Sequence, residues 1–120
     1  MKIELDVVVG KNDISGRTYT EETISEAIEK IQYPLMVDSD PDGIEVDLQG
    51  LSGTCTDLRI EDNKIFGTFK LNGDVPGGII LESLIENNIG IEFKIAGTGN
   101  VNEKLIVSNY DIHKIFVKAL

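Results

Sequence analysis

The chain opens on alternation. Lys2-Ile-Glu-Leu-Asp-Val-Val-Val9 passes from alternating apolar and polar positions into a β-branched run, which predicts a strand buried more deeply toward its end. Turn chemistry follows in Gly10-Lys-Asn-Asp-Ile-Ser-Gly16. The period then changes: Ile24, Ala27, Ile28 and Ile31 fall at i, i+3, i+4 and i+7, the spacing of a helix with one stripe on a core. This helix is predicted over Thr20–Ile31. Thr18 or Thr20 is its cap, and Glu21 and Glu22 suit its positive end. Pro34 stops it by disfavouring helical geometry at Tyr33.

Leu35-Met-Val37 reads as a short buried strand, followed by the acidic turn Asp38-Ser-Asp-Pro-Asp-Gly43. Ile44, Val46 and Leu48 alternate with Glu45, Asp47 and Gln49, the pattern of a half-exposed strand. The segment Thr54–Leu71 predicts an antiparallel hairpin turning at Asp62-Asn63, with Leu58, Ile60, Ile65, Phe66 and Phe69 packed and Gly67 marking a bulge or a close approach. A second helix is predicted over Pro76–Asn88, started by Pro76 and stopped at Asn88-Ile-Gly90. Apolar residues occupy more than one of its faces, so Ile80, Leu84 and at least one of Ile79, Leu81 and Ile85 are expected to be buried. Ile91, Phe93 and Ile95 alternate as a strand, Gly97-Thr-Gly-Asn100 reads as a hairpin turn, and Leu105–Val107 and Ile112–Val117 read as two final strands with Tyr110 between them. The fold class is α+β: a small barrel-like antiparallel or mixed sheet flanked by two short helices, in a single domain over residues 1–120.

Composition narrows the partners. An apolar fraction of 41% is that of a globular domain with a real core. With 11 basic against 21 acidic residues the net charge is −10, which argues against direct binding of a nucleic-acid backbone. No apolar run approaches the ~20 residues of a transmembrane helix. Two acids stand where the apolar part of a signal peptide would begin, so neither a membrane span nor a leader is expected. The single cysteine, Cys55, excludes an intrachain disulfide.

Three segments, in order and at compatible spacing, resemble the head-maturation (prohead) proteases of tailed phages. Gly16-Arg17-Thr18-Tyr19, followed at once by a helix, is similar to the family's Asn-Gly-Arg-x-Tyr-Pro. The hairpin from Gly53 to Gly67 is similar to its Gly-x-Val-x-x-x-x-x-x-(Asp/Gly)-x-(Lys/Leu)-x-Gly. Pro76-Gly-Gly-Ile-Ile with its helix and Ile89-Gly-Ile91 look like the family's Thr-Pro-x-Gly segment, which ends in Gly-(Val/Ile)-Ser. In addition, the closing Ala96-Gly-Thr-Gly-Asn-Val101 resembles the Arg-Gly-x-Gly-x-Val after the family's active-site strand. The match spans nearly the whole chain. It implies the herpesvirus-assemblin-like fold, a β-barrel surrounded by helices. Proteases of this family cleave scaffold and capsid proteins in the immature head with a serine nucleophile and a histidine base that a third residue orients.

The departures fall on the chemistry. The family's serine follows the Gly-(Val/Ile) after the second helix, where this chain has Glu92-Phe93-Lys94. The family's histidine follows the strand after the first helix, where this chain has Val37-Asp38-Ser39-Asp40. No catalytic residue is therefore assigned. His113, the only histidine, lies in the last predicted strand and reads as a surface or edge-strand residue. Cys55 reads as a structural cysteine. Asp38, Asp40, Asp42 and Gly43 have the opening of a calcium loop, but Gln49 stands where a bidentate Glu is needed and Glu45 where an apolar residue is usual. A solvated acidic turn is preferred to a calcium site, with the Asp38–Asp47 stretch as a candidate partner surface. Gly97-Thr-Gly-Asn100 precedes a strand and offers no helix N-terminus to a phosphate, so no metal and no cofactor is assigned.

The function expected from these readings is that of a non-catalytic phage protein on a protease-like fold. It would act as a structural or assembly component of the head, its partner another phage structural protein or itself, and it would be found in the virion or the host cytoplasm. The rival expectation is an acidic inhibitor of a host factor that mimics nucleic-acid charge through Asp38–Asp47. An active protease with a relocated nucleophile ranks below both.

Overall fold

A computed structural model describes residues 1–120. Its centre is a closed six-stranded mixed barrel with one extra strand. The elements in chain order are β1 (Lys2–Val8), β2 (Thr18–Tyr19), α1 (Glu21–Lys30), β3 (Leu35–Asp38), a single 3-10 turn at Leu48–Gly50, β4 (Gly53–Glu61), β5 (Lys64–Leu71), α2 (Pro76–Glu86), β6 (Ile91–Val101) and β7 (Ile106–Ala119). Around the barrel the order is β7-β3-β4-β5-β1-β6, and β6 closes it on β7. The neighbours β3–β4, β4–β5, β5–β1 and β6–β7 are antiparallel, whereas β1–β6 and β3–β7 are parallel. The short β2 pairs in parallel with the start of β7, at Ile106 and Val107. Closure leaves the central strands without a free edge.

The local devices follow from sequence. Thr20 caps α1 by accepting a hydrogen bond from the Thr23 amide at 3.2 Å. Ile24 and Ala27 are buried while Ile28 and Ile31 pack against the same core. The helix ends at Lys30, three residues before Tyr33, because Ile31 is already extended. Between β4 and β5, Asp62 and Asn63 both have positive φ, as a two-residue type I′ turn requires. Gly67 lies where β4 bulges between Cys55 and Leu58, and a Cβ there would stand 2.7 Å from Cys55 Sγ. The end of α2 is closed by Asn88 at φ 55°, with amide bonds from Asn88 to Ile85 O and from Ile89 to Leu84 O, the reciprocal pattern of a Schellman cap.

Five expectations from sequence are corrected. First, β1 alternates to its end, and Val8 is exposed while Val7 and Val9 are buried. Both faces of a barrel strand keep the period of two, so β-branching alone does not bury a residue. Second, residues 44–48 form no strand: the segment bends into the 3-10 turn, with Ile44 and Leu48 exposed. Third, α2 buries Leu81 but leaves Ile80 62% and Ile79 55% exposed. The helix docks through Gly77 and Gly78 on one side only, with a Gly77 Cβ position 2.5 Å from Leu51 O. Fourth, Gly97–Asn100 is not a turn but the continuation of β6, and the reversal falls at Asn102–Leu105, where Asn102 Oδ1 accepts the amides of Lys104 and Ile106. Gly97 and Gly99 are needed because the Tyr110 ring crosses them: a Cβ on Gly97 would come within 2.5 Å of the tyrosine Oη. Fifth, the two final strands are one, β7, which absorbs two bulges at His113 and near Asn109.

Candidate functional site

The site begins with register. Asp38 stands opposite Phe116 on one side of β7, and Lys94 stands opposite Phe116 on the other. The two segments from which the resemblance draws a base and a nucleophile therefore flank one strand, about two strand spacings or ~10 Å apart. The fold brings them together; the side chains differ from those of a protease.

On the nucleophile side, Phe93 is buried in the core against Phe69, ring centroids 5.3 Å apart. Glu92 and Lys94 are half-buried, and Glu92 lies 4.0 Å from Lys94 Nζ and 3.9 Å from Lys118 Nζ. On the base side, Asp38 is wholly buried and so is Lys114 of β7, with Lys114 Nζ 2.7 Å from Asp38 Oδ2. The same ammonium donates to the Asp40 carbonyl at 3.1 Å and lies 4.0 Å from the Asp40 carboxylate. Asp38 also accepts the amides of Asp40 at 3.1 Å and Asp47 at 2.8 Å. One carboxylate thus holds both arms of the 39–47 loop over an ammonium that donates to two acceptors, with a second carboxylate 4.0 Å away.

This network explains the missing strand at 44–48. Within the segment the Asp47 amide goes to Asp38, and on either side Asp40 accepts the Asp42 amide and Asp47 the Gln49 amide, so acidic side chains take backbone donors that a ladder would use. It also answers the calcium-loop pattern: the carboxylates of Asp38 and Asp40 converge on a lysine. Among the five acids from Asp38 to Asp47, Asp38 has no exposed surface to offer a partner. Sequence reasoning misses Lys114. The available signal is a lysine at a core-facing step of the apolar run Ile112–Val117, and nothing local distinguishes such a lysine from a solvated one.

The remaining candidates are dispersed. Ser39 Oγ packs on Gly50, 2.5 Å from where a Cβ would stand. His113 sits in the β7 bulge, exposed, with Nε2 2.9 Å from Thr98 Oγ1. Ser39 continues β3 past the Phe116 register, so about four strand residues, ~13 Å along β7, separate it from His113. Cys55 is buried with Sγ 3.2 Å from Asp57 O, and burial pushes its thiol pKa up, opposite to the shift an attacking thiolate needs. Between the loop and the barrel lies a cavity of about 320 Å³ that Arg17, Tyr19, Asp42, Tyr110 and Phe116 help to line. Tyr19 and Tyr110 meet edge to face at 5.1 Å, and burial pushes both phenols up, so they stay protonated at neutral pH and are hydrogen-bonding groups rather than bases. No helix is long and apolar enough to cross a membrane.

No protein-family model matches the chain, and no curated protein matches it. Among solved structures, the bacteriophage T4 capsid assembly protease, gp21, is similar, with a TM-score of 0.77 over 98% of this chain and 79% of that one, at 17% identity. The chain therefore has the fold of a phage prohead protease.

Proposed function

We propose that this is a non-catalytic phage protein that works in head structure or assembly through protein–protein contacts. The observation that carries the reading is the Asp38–Lys114 pair. Where the protease-like fold brings two segments together across β7, this chain has a buried, mutually neutralising ion pair under a closed loop. Acyl transfer needs an accessible nucleophile, a base within hydrogen-bond reach and oxyanion donors. Glu92, Phe93 and Lys94 supply no nucleophile, and Asp38 is occupied by Lys114.

The charge-mimic reading loses support from the same pair. One of its acids, Asp38, is buried, and Asp40 and Asp47 also bond within the loop. Relocated catalysis through Ser39 and His113 is disfavoured by their separation along β7.

Two measurements test the proposal. Mass spectrometry of purified virions is expected to find the chain at stoichiometric copy number; its absence would sink the head role. The pure protein incubated with head proteins of its own phage is expected to leave them intact and to resist serine-directed phosphonates. Specific cleavage lost in Ser39→Ala or His113→Ala would show an active enzyme.

A further inference from the structure

The turn that leads from β5 into α2 sets a side-chain amide beside an unshielded backbone nitrogen. Asn72-Gly73 is the chain's one asparagine–glycine step; the other seven asparagines all precede residues that carry side chains. Asn72, Gly73 and Asp74 are exposed. Asn72 Oδ1 accepts the Asp74 amide at 3.0 Å, which folds the side chain over the intervening Gly73 peptide and draws electron density from Cγ. The Gly73 amide donates no hydrogen bond of its own. Glycine has no Cβ to shield that nitrogen, and its backbone reaches conformations other residues resist. Other asparagines are better protected: Asn87 Nδ2 donates to Ser83 O at 2.7 Å, and Asn102 Oδ1 accepts two amides.

The backbone of Asn72 is also a docking point. Its amide donates to Ser52 O at 2.9 Å, and its carbonyl oxygen fills the place that a Cβ on Gly78 would need. A change of main-chain geometry at residue 72 is therefore passed directly to α2. A new side-chain charge there is not disruptive. The first turn of α2 holds no acid and Val75 gives it no side-chain cap, and a carboxylate just before a helix is favoured by the helix dipole.

We propose that Asn72 is a site of spontaneous deamidation, and that the isoaspartate formed there releases α2 from the barrel. The Gly73 nitrogen, giving its proton to solvent, attacks Asn72 Cγ. The Cγ–Nδ2 bond breaks, ammonia leaves, and a five-membered cyclic imide remains. Water then opens the imide on one of its two sides. Breaking the Cγ–N bond leaves an aspartate with the main chain unchanged. Breaking the bond from the residue 72 carbonyl carbon to the Gly73 nitrogen leaves isoaspartate. In that product Cβ joins the main chain, and a free carboxylate stands where the Asn72 carbonyl meets Gly78. The inference is independent of the role proposed in the head.

The test is to age the full, folded chain in mildly alkaline buffer and map its peptides by mass spectrometry. The mass gain of an amide-to-acid conversion is expected at residue 72 before any other asparagine, with isoaspartate among the products. The isoaspartate form, separated by ion exchange, is expected to lose hydrogen-exchange protection across the α2 amides. Asn72→Asp carries the same charge on an unaltered main chain and is expected to keep that protection. Gly73→Ala is expected to slow the reaction severalfold or more. This variant should fold, because the added Cβ meets only Glu82 Oε2, at 3.3 Å, the far end of a flexible side chain. An unmodified residue 72 in a sample whose other asparagines have reacted would overturn the proposal, and so would an unchanged rate in Gly73→Ala. Equal α2 protection in the isoaspartate form and the parent would sink its structural half, and loss of protection in Asn72→Asp would assign the effect to charge instead.

Discussion

Lys114 Nζ lies 2.7 Å from Asp38 Oδ2, and neither side chain is exposed to solvent. The two residues are 76 positions apart in the chain and meet because β3 pairs with β7. A pair so placed is held by each partner's need for the other's charge, since either group alone would be a desolvated ion.

Removing one member should therefore be costly. Lys114→Met is expected to lower stability by roughly 3–5 kcal/mol, measured by urea unfolding. The Asp38→Asn/Lys114→Met double variant is expected to recover part of this, because no uncompensated charge remains. Full recovery is not expected, since the Asp47 amide then faces the NH₂ of the introduced carboxamide or keeps only a neutral, weaker acceptor. In both variants, proteolysis within residues 41–49 should accelerate. A loss below about 1 kcal/mol in the single variant, the scale of a surface pair, would show that the ammonium reaches water.

Calcium should leave stability unchanged. A site filled at a hundred times its dissociation constant would add about 2.7 kcal/mol. With Lys114 already among the carboxylates of Asp38 and Asp40, millimolar calcium is expected to produce no rise in melting temperature. A rise of several degrees that Asp40→Ala abolishes would overturn this.

Gly78→Ala tests how α2 is docked. A Cβ at Gly78 would overlap the Asn72 carbonyl oxygen, and backbone cannot retreat as a flexible side chain can. The expected cost is at least about 1–3 kcal/mol, accompanied by loss of protection at the α2 amides. At Gly10, which has no neighbour within 4 Å but a φ of +79°, alanine should cost only the strain of that conformation.

The β4–β5 hairpin carries a pH signature. Hydrogen bonding by Thr68, the largest cause, and the Arg59 guanidinium hold the Asp57 carboxyl below its ordinary range. A depressed pKa contributes stability that is present above the unfolded-state value and lost as pH falls through the folded one. The loss should therefore begin near pH 4 and continue below it. The carboxylate is substantially exposed, so the effect is modest. Asp57→Asn is expected to destabilise slightly at pH 7 and to converge with the parent at low pH; a constant difference across pH would exclude the carboxylate's charge as the cause.

How far the fold was legible depended on the range of the forces involved. The cap at Thr20, the Ile24–Ala27–Ile28–Ile31 stripe, the Asp62-Asn63 turn and the Asn88 stop are decided by neighbours within one or two turns of chain. The sequence by itself therefore determined the two helices, the hairpin and the α+β class. It also determined that no serine stands in Glu92-Phe93-Lys94 and no histidine in Val37-Asp38-Ser39-Asp40, where the resemblance expects each. The tertiary structure alone decided that those segments flank Phe116, that Asp38 finds Lys114, and that Gly97 and Gly99 make room for Tyr110 rather than for a turn. It also decided that Ile79, Ile80 and Leu48 stay in water. Hydrophobicity states that a side chain gains from burial, but whether a partner surface exists to bury it depends on strands brought together from across the chain.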